Sequence, residues 1–368
     1  MSKTSKPHII VVTGGTGGHV FPAQALSEEM AARGWRIKVW IDQRVESLAS
    51  NFPRELPWEI IPSKPFAQRT FLARLAVPFI LFWGLLIVLV KILRDRPVRV
   101  VGFGSYATFT PLLGSVILGV PCVIHEQNGN MGVVNRIFSK RVRLVASGSY
   151  APQFPPKTNW IFTGNPLRKE VFSKLGRPYN FPLDKKIAVL IFGGSQGARI
   201  FDHIIPESVS GLPEDLLKRL KIYQQVREEN IPNVDKIYKK LNMDYVIKPF
   251  FEDIPELMAN SQLVISRSGA SSIAEITAMG LPSILVPFAA AANDHQTVNS
   301  QVLEKSGAAI ILKEKNLNPT MMCAAIRKIL SNPEMANQMA TASKKLGVSD
   351  AAKRLADLVE NLGSGEKI

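Results

Sequence analysis

One repeated unit dominates this sequence: a short, almost wholly apolar run, then a glycine turn, then a helical pattern. It appears first as HIIVVTGGTGGH at residues 8–19 and starts afresh as IAVLIFGGSQGA at residues 187–198. Further runs of the same kind stand at 36–41, 98–102, 121–125, 263–266 and 283–287, with helical patterns between them at 23–33, 132–140, 271–279 and 294–306. Strands that are apolar throughout are buried on both faces, as in a parallel sheet covered by helices on either side. The fold class expected is therefore α/β. The restart divides it into two Rossmann-like doubly wound domains, 1–164 and 165–368, facing a cleft. A last helix near 350–362 can belong to either.

A glycine turn after a strand brings backbone N–H groups close to an anion, and the next helix N-terminus adds a favourable dipole. The turns here are Gly14–His19, Gly102–Tyr106 and Gly193–Ala198, with a fourth helix entry at Ser266–Pro282. A dinucleotide fingerprint fails at the first turn, because Val20 occupies the place of its last glycine. No loop ends in the Gly-Lys-Ser/Thr of a Walker A motif. His19 stands at the mouth of the first turn, just before Pro22, where a helix is expected to begin. It is either a helix-end residue or a group that takes a proton from a hydroxyl, and the glycines that clear its surroundings favour the second.

Polar side chains crowd the end of the 121–125 run: His125, Glu126, Gln127, Asn128, Asn130 and Asn135. Strand C-termini form the ligand crevice of open α/β sheets, and this mixture of amides and carboxylate suits a sugar. Glu275, on the first turns of a helix, fits either dipole compensation or a ribose diol. Gln296, at a loop-to-helix junction, fits either capping or sugar recognition.

Charge matters for the partner. Residues 1–164 hold 19 Lys and Arg against 8 Asp and Glu, while residues 165–368 hold 26 against 22. The first half therefore attracts an anion: nucleic acid, anionic lipid or a phosphorylated substrate. Within it, Leu75–Val90 carries no charge over 16 residues and is flanked by Arg69, Arg74, Lys91, Arg94, Arg96 and Arg99. As a helix that stretch is about 24 Å long, short of a hydrocarbon core of about 30 Å. Pro78 and Gly84 are expected to interrupt it. A spanning helix, a wholly buried helix and an apolar patch with a basic rim on a membrane surface remain open, the last being preferred. Cys122 and Cys323 read as buried free thiols, no Cys/His spacing suggests a metal, and no apolar signal core precedes the first strand.

The stretches GGTGGHVFPA, GFGSYATF, HEQNGNMGVVNR, TGNPLRKEV, FGGSQGAR, SRSGASSIAEITAMGLPSILVPF and DHQTVNSQVLEKSGAA run in one order along nearly the whole chain. Together they resemble the MurG family, the GT-B N-acetylglucosaminyltransferases that convert lipid I to lipid II in bacterial peptidoglycan synthesis. The resemblance implies UDP-GlcNAc as donor, held mainly by the second domain. It implies undecaprenyl-pyrophosphoryl-MurNAc-pentapeptide (lipid I) as acceptor, met by a peripheral enzyme at the cytoplasmic face of the cell membrane. It implies no cofactor, metal or nucleic acid, and leaves room for other cell-wall synthesis proteins as partners.

By the same resemblance, Thr16, Gly17 and Gly18 approach the phosphates. His19 is the general base, with Glu126 as the alternative catalytic residue. Asn128 contacts the donor sugar and Asn135 helps with the acceptor. Arg168 and Ser195 face the diphosphate, and Phe251 meets the uracil through its backbone. Ala270, Ser271, Ser272, Ile273 and Ala274 form the turn near the nucleotide, Glu275 takes the ribose hydroxyls and Gln296 the sugar hydroxyls. Two departures stand out. Gly104-Ser105 replaces the family's Gly-Gly, and Ala289–Ala292 replaces a more polar stretch. The rivals are another GT-B UDP-sugar transferase, a UDP-GlcNAc 2-epimerase, and a non-catalytic nucleotide-sugar-binding module.

Overall fold

A computed structural model describes residues 7–49, 52–53, 56–65, 71–194, 197–291 and 294–362, without the side chains of 48–49 and 71–74. The chain divides into two compact units, Met1–Arg168 with Asp350–Ile368, and Lys169–Ser349. The division falls after Arg168 rather than after Gly164. The last helix belongs to the first unit, not with the segment that precedes it.

The first unit is a seven-stranded parallel sheet in the order β3-β2-β1-β4-β5-β6-β7. Its strands are β1 (His8–Val12), β2 (Arg36–Ile41), β3 (Trp58–Ile60), β4 (Arg99–Gly102), β5 (Cys122–Glu126), β6 (Leu144–Ser147) and β7 (Trp160–Phe162). Alternation along β1 feeds two cores. Ile9 and Val11 pack with Leu26, Met30, Leu355 and Val359 on one face. Ile10 and Val12 pack with Val88, Ile92, Leu112 and Phe138 on the other. Each such side chain, fully buried, contributes about 1.5–3 kcal/mol. The helix Ala351–Asn361 closes the first face against the helix Gly17–Ala32. Arg33 pairs there with Asp357 at 2.6 Å and Glu360 at 2.7 Å, and the Trp35 indole N–H donates to Glu360 at 2.7 Å.

The helix Phe71–Arg94 covers the other face and runs through both Pro78 and Gly84 without a break. Val77, Gly84, Val88 and Ile92 form its packed stripe. A Cβ at Gly84 would stand 2.5 Å from the Pro62 carbonyl, and one at Gly114 would stand 2.6 Å from Val88, so both glycines permit close approach. The opposite stripe, Leu75, Phe79, Phe82, Trp83, Leu86, Val90 and Leu93, is exposed. The segment is thus no wholly buried core helix. By length and composition Leu75–Arg94 suffices to cross a membrane, yet one side of it is core.

The second unit is a six-stranded parallel sheet in the order β10-β9-β8-β11-β12-β13. Its strands are β8 (Ile187–Phe192), β9 (Leu220–Gln225), β10 (Asp244–Lys248), β11 (Leu263–Ser266), β12 (Ser283–Leu285) and β13 (Ala309–Ile311). In both units the first strand is the third in order, and the strand order reverses beside it. This topology leaves a crevice outside the strand C-termini. Six strands absent from the sequence expectation, β3, β6, β7, β9, β10 and β13, are short, half-buried or polar, and lack a long apolar run.

Candidate active site

In the first unit the three chain segments richest in chemistry meet at the C-terminal ends of β1, β4 and β5. The helix after β1 begins at Gly17, not at Pro22. Thr16 is its N-cap in an extended conformation, and Pro22 lies one turn in, where it contributes no N–H to the ladder. Gly17 is buried, Gly18 and His19 half-buried, and Thr16 exposed. Gly104, at φ +86°, packs beside this turn. A Cβ there would stand 3.2 Å from the Asn135 amide nitrogen and 3.5 Å from His19 Cε1, so the glycine keeps the space between them open. At the next position, where the family pattern has glycine, Ser105 adopts φ 67° and ψ 161°.

His19 Nδ1 lies 3.1 Å from the Gln127 side-chain oxygen. Gln127 is buried, and its amide nitrogen donates to the Phe103 carbonyl at 3.0 Å. Glu126 is buried as well. One carboxylate oxygen accepts from the Asn128 backbone N–H at 3.1 Å and the Asn128 amide at 3.2 Å. The other accepts from Gly132 N–H at 2.9 Å and Asn135 at 2.8 Å. Four protein donors on this carboxylate make it the brace of the 126–135 loop. The carboxylate that the resemblance implies as the alternative base is thus the one these donors engage. Asn128 and Asn135 are thereby held at the site's edge, and the Asn135 amide oxygen is buried with no protein partner.

His125, fully buried, donates from Nε2 to the Gly164 carbonyl at 3.1 Å and packs against Phe103. Burial lowers its pKa to about 4, against the raising effect of that hydrogen bond. Its neighbour across the loop, Asn165, donates to the Gln127 carbonyl at 3.2 Å. Arg168 stacks its guanidinium over Phe21 with 4.8 Å to the ring centre. Asp42, buried beside Gly14, pairs with Arg44 at 2.9 Å, and Arg44 in turn lies over Tyr106.

In the second unit the glycine turn after β8 is braced from β9. The Gly193 N–H donates to the Gln225 side-chain oxygen at 3.0 Å, and the Gln225 amide donates to the Pro249 carbonyl at 3.2 Å. Ser195, expected at the diphosphate, lies outside the described residues. The helix Ala270–Met279 starts beyond β11 with Gly269 as N-cap. Ala270, Ser271, Ser272, Ile273 and Ala274 are half-buried on its first turns, and Glu275 is buried one turn further. The Gln296 side-chain oxygen accepts from Ser268 N–H at 3.2 Å and Phe288 N–H at 2.9 Å, so this residue ties two loops together. Beneath them Arg267 meets Glu314 at 2.7 Å. Burial would raise the Glu314 pKa, but Arg267 and the Ala289 N–H outweigh it and hold the carboxyl below its ordinary value. Phe251 is buried just past β10, with the Lys248 ammonium 5.8 Å from its ring centre.

The first unit thus gathers an imidazole and several amides, and the second offers helix N–H groups, a carboxylate and a glutamine. Gln127 is the residue that reasoning from sequence left without a role. Its neighbours His125, Glu126 and Asn128 drew attention by type, and only the fold shows which of the four reaches His19.

The glycosyltransferase family 28 N-terminal domain matches residues 9–147, and the family 28 C-terminal domain matches residues 188–355. A relative from Caulobacter vibrioides is 39% identical over 356 residues, covering 95% of this chain and 98% of its own length. One from Rhizobium leguminosarum is 39% identical over 370 residues, covering 99% and 98%. Both are named UDP-N-acetylglucosamine–N-acetylmuramyl-(pentapeptide) pyrophosphoryl-undecaprenol N-acetylglucosamine transferase. Among solved structures, MurG of Acinetobacter baumannii superposes with a TM-score of 0.79 at 24% identity, over 96% of this chain and 99% of its own. UDP-GlcNAc 2-epimerase from Neisseria meningitidis, bound to UDP-GlcNAc, gives 0.65 at 17% identity, over 96% and 100%. The two structures share the fold, whereas the sequence relatives separate transferase from epimerase. The chain belongs to glycosyltransferase family 28, in the MurG family of N-acetylglucosaminyltransferases.

Proposed function

We propose that this chain moves N-acetylglucosamine from UDP-GlcNAc to the C4 hydroxyl of MurNAc in undecaprenyl-pyrophosphoryl-MurNAc-pentapeptide, forming lipid II. Identity of 39% across nearly the whole chain to transferases named for this reaction supports the donor, the acceptor and the reaction class. Placement of His19 at the glycine turn, with Nδ1 against the Gln127 side-chain oxygen, carries the mechanism. The acceptor hydroxyl gives its proton to His19 Nε2 while its oxygen bonds to the anomeric carbon. The bond from that carbon to the β-phosphate oxygen breaks, its electron pair leaves with UDP, and the configuration inverts.

Charge growing on the leaving diphosphate is met by the N-terminus of the helix Ala270–Met279, where Ser271 to Ala274 stand, and by Arg168. Glu275 takes the ribose hydroxyls, Gln296 the sugar hydroxyls and Phe251 the uracil. Thr16, Gly17 and Gly18 approach phosphate, while Asn128 and Asn135 position the sugars. The decisive assay follows labelled GlcNAc from UDP-GlcNAc onto a lipid I analogue. No transfer by the wild-type protein defeats the reading, and full transfer by His19→Ala defeats the assignment of the base.

The exposed stripe of the helix Phe71–Arg94 supports peripheral docking on an anionic membrane at its cytoplasmic face. Seven large apolar side chains there face solvent, and Arg94 and Arg96 are exposed at the helix end. Binding to vesicles containing anionic lipid is expected to fall with salt and with Phe82→Ser plus Trp83→Ser, while transfer to a water-soluble acceptor persists. A wild-type protein that ignores such vesicles defeats the docking.

A further inference from the structure

We infer that Gln127 is a positioning residue that sets the tautomer of His19 and thereby selects Nε2 as the nitrogen that accepts the proton. The inference rests on the reading of His19 as base and extends it to a residue with no assigned role. Gln127 follows β5 and is 2% exposed. Its amide group could in principle face His19 with either end, and the surroundings decide which. The Phe103 carbonyl, 3.0 Å away, can only accept, so the NH₂ end points there. The oxygen end therefore faces His19 Nδ1 at 3.1 Å, and an amide oxygen can only accept. Nδ1 must carry the proton, so in the neutral ring the lone pair resides on Nε2.

The alignment of Gln127 is itself braced. Its own carbonyl accepts from Asn165 at 3.2 Å, and Glu126 beside it anchors the loop through four donors. Phe103, which orients the amide, is fully buried at the end of β4. An imidazole on the first turn of a helix has two rotatable bonds, and a single fixed acceptor removes the choice between its nitrogens. A glutamine does this without charge. A carboxylate in its place would also hold Nδ1–H, but would favour the imidazolium and leave less of the free base near neutral pH.

Three variants test this in the full-length protein, with a folded circular dichroism spectrum required of each. In Gln127→Met the acceptor is gone: kcat is expected to fall about 10- to 100-fold with the UDP-GlcNAc KM within about twofold. Nitrogen NMR of ¹⁵N-histidine-labelled protein reads the tautomer directly. His19 is expected as Nδ1–H in the wild type and as a mixture with Nε2–H in Gln127→Met. In Gln127→Glu the acid limb of the kcat–pH profile is expected to move up by about one pH unit, with activity recovering above it.

A wild-type His19 in the Nε2–H form, or an unmoved pH limb in Gln127→Glu, overturns the inference. So does full kcat in Gln127→Met. His19→Ala distinguishes the two levels. If it retains full transfer, the base assignment has failed. If it is inactive while Gln127→Met is not, the base stands and the positioning role has failed.

Discussion

The two glycine turns of this protein are built alike but present different groups to the glutamine beside them. Each follows the first strand of its sheet, and each faces a glutamine at another strand's C-terminal end: Gln127 after β5, two strands away from β1, and Gln225 on β9, adjacent to β8. Gln127 and Gln225 both donate from the amide nitrogen to a loop carbonyl, and both present the amide oxygen to the turn. In the second unit that oxygen receives the N–H of Gly193, where a Cβ would stand 2.2 Å from the Ala198 nitrogen and only glycine fits. In the first unit it receives an imidazole nitrogen. The strand-turn-helix frame therefore leaves the chemistry open. Across from the glutamine oxygen stands a backbone N–H in the second unit and an imidazole in the first; in the proposed reaction the second turn faces phosphate and the ring acts as base.

That contrast predicts opposite kinetic signatures for the two units, and these are the largest effects expected. His19→Ala should lower kcat by about 10²–10⁴ with donor affinity nearly unchanged. Glu275→Ala, which removes the carboxylate proposed to accept from the ribose hydroxyls, should raise the UDP-GlcNAc KM by about 10- to 100-fold, with a smaller change in kcat. Steady-state kinetics with both substrates varied separates them. If His19→Ala acts mainly on the donor KM, the division of labour between the turns is wrong.

Buried titratable groups sharpen the same contrast. His125, beneath the first turn, has its pKa lowered to about 4 by burial, so it is neutral in the folded protein. The unfolded chain binds its proton near pH 6.5. Its contribution is thus fully present above pH 6.5, begins to be lost below it, and is gone once the pH passes below about 4. The gap corresponds to about 3 kcal/mol. In the second unit the half-buried Glu314, paired with the buried Arg267, keeps its carboxyl below the ordinary value, so its loss comes only at lower pH. Hydrogen exchange between pH 7 and 4.5 should show protection falling first around β5. His125→Gln should flatten that early loss. Equal sensitivity of β5 and β11 would remove the distinction.

Legibility in the sequence followed physical signal strength. The central strands β1, β4, β5, β8 and β11 are buried on both faces and announce themselves as apolar runs. The outer strands β3, β7 and β10 are half-exposed, and β13 spans three residues, so their patterns carry little periodicity. Of the site, His19 and Glu126 were conspicuous by residue type and by the glycines around them. Their relation was not, because it depends on which carbonyl orients the Gln127 amide and which N–H groups converge on Glu126. Those facts belong to β4, β5 and the loop to Asn135 together, and no window of sequence contains them. Likewise the stretch 75–90 reads as uniformly apolar, and only the packing of its helix separates the Val77–Ile92 stripe from the exposed one.

The smallest expected effect concerns the turn that stands between these elements. Ser105 holds φ 67° and ψ 161°, a region glycine enters freely and an L side chain enters at a cost of about 1–3 kcal/mol. Its neighbour Gly104 also has positive φ, so the whole turn has the backbone of a glycine pair although one member has a side chain. The surroundings keep it there. The Thr108 hydroxyl donates to the Ser105 carbonyl at 2.9 Å, and the Thr108 N–H donates to the same oxygen at 3.2 Å. The serine hydroxyl itself has a weak donor in Arg44 at 3.4 Å, too long to offset the strain. Ser105→Gly should therefore stabilise the first unit by about 1 kcal/mol, less than the full strain because glycine also gains freedom in the unfolded chain. Denaturant unfolding of the two proteins side by side measures it. A destabilised Ser105→Gly would mean that the hydroxyl contributes more than the backbone loses, and that the serine is there for a ligand of the first turn rather than tolerated beside it.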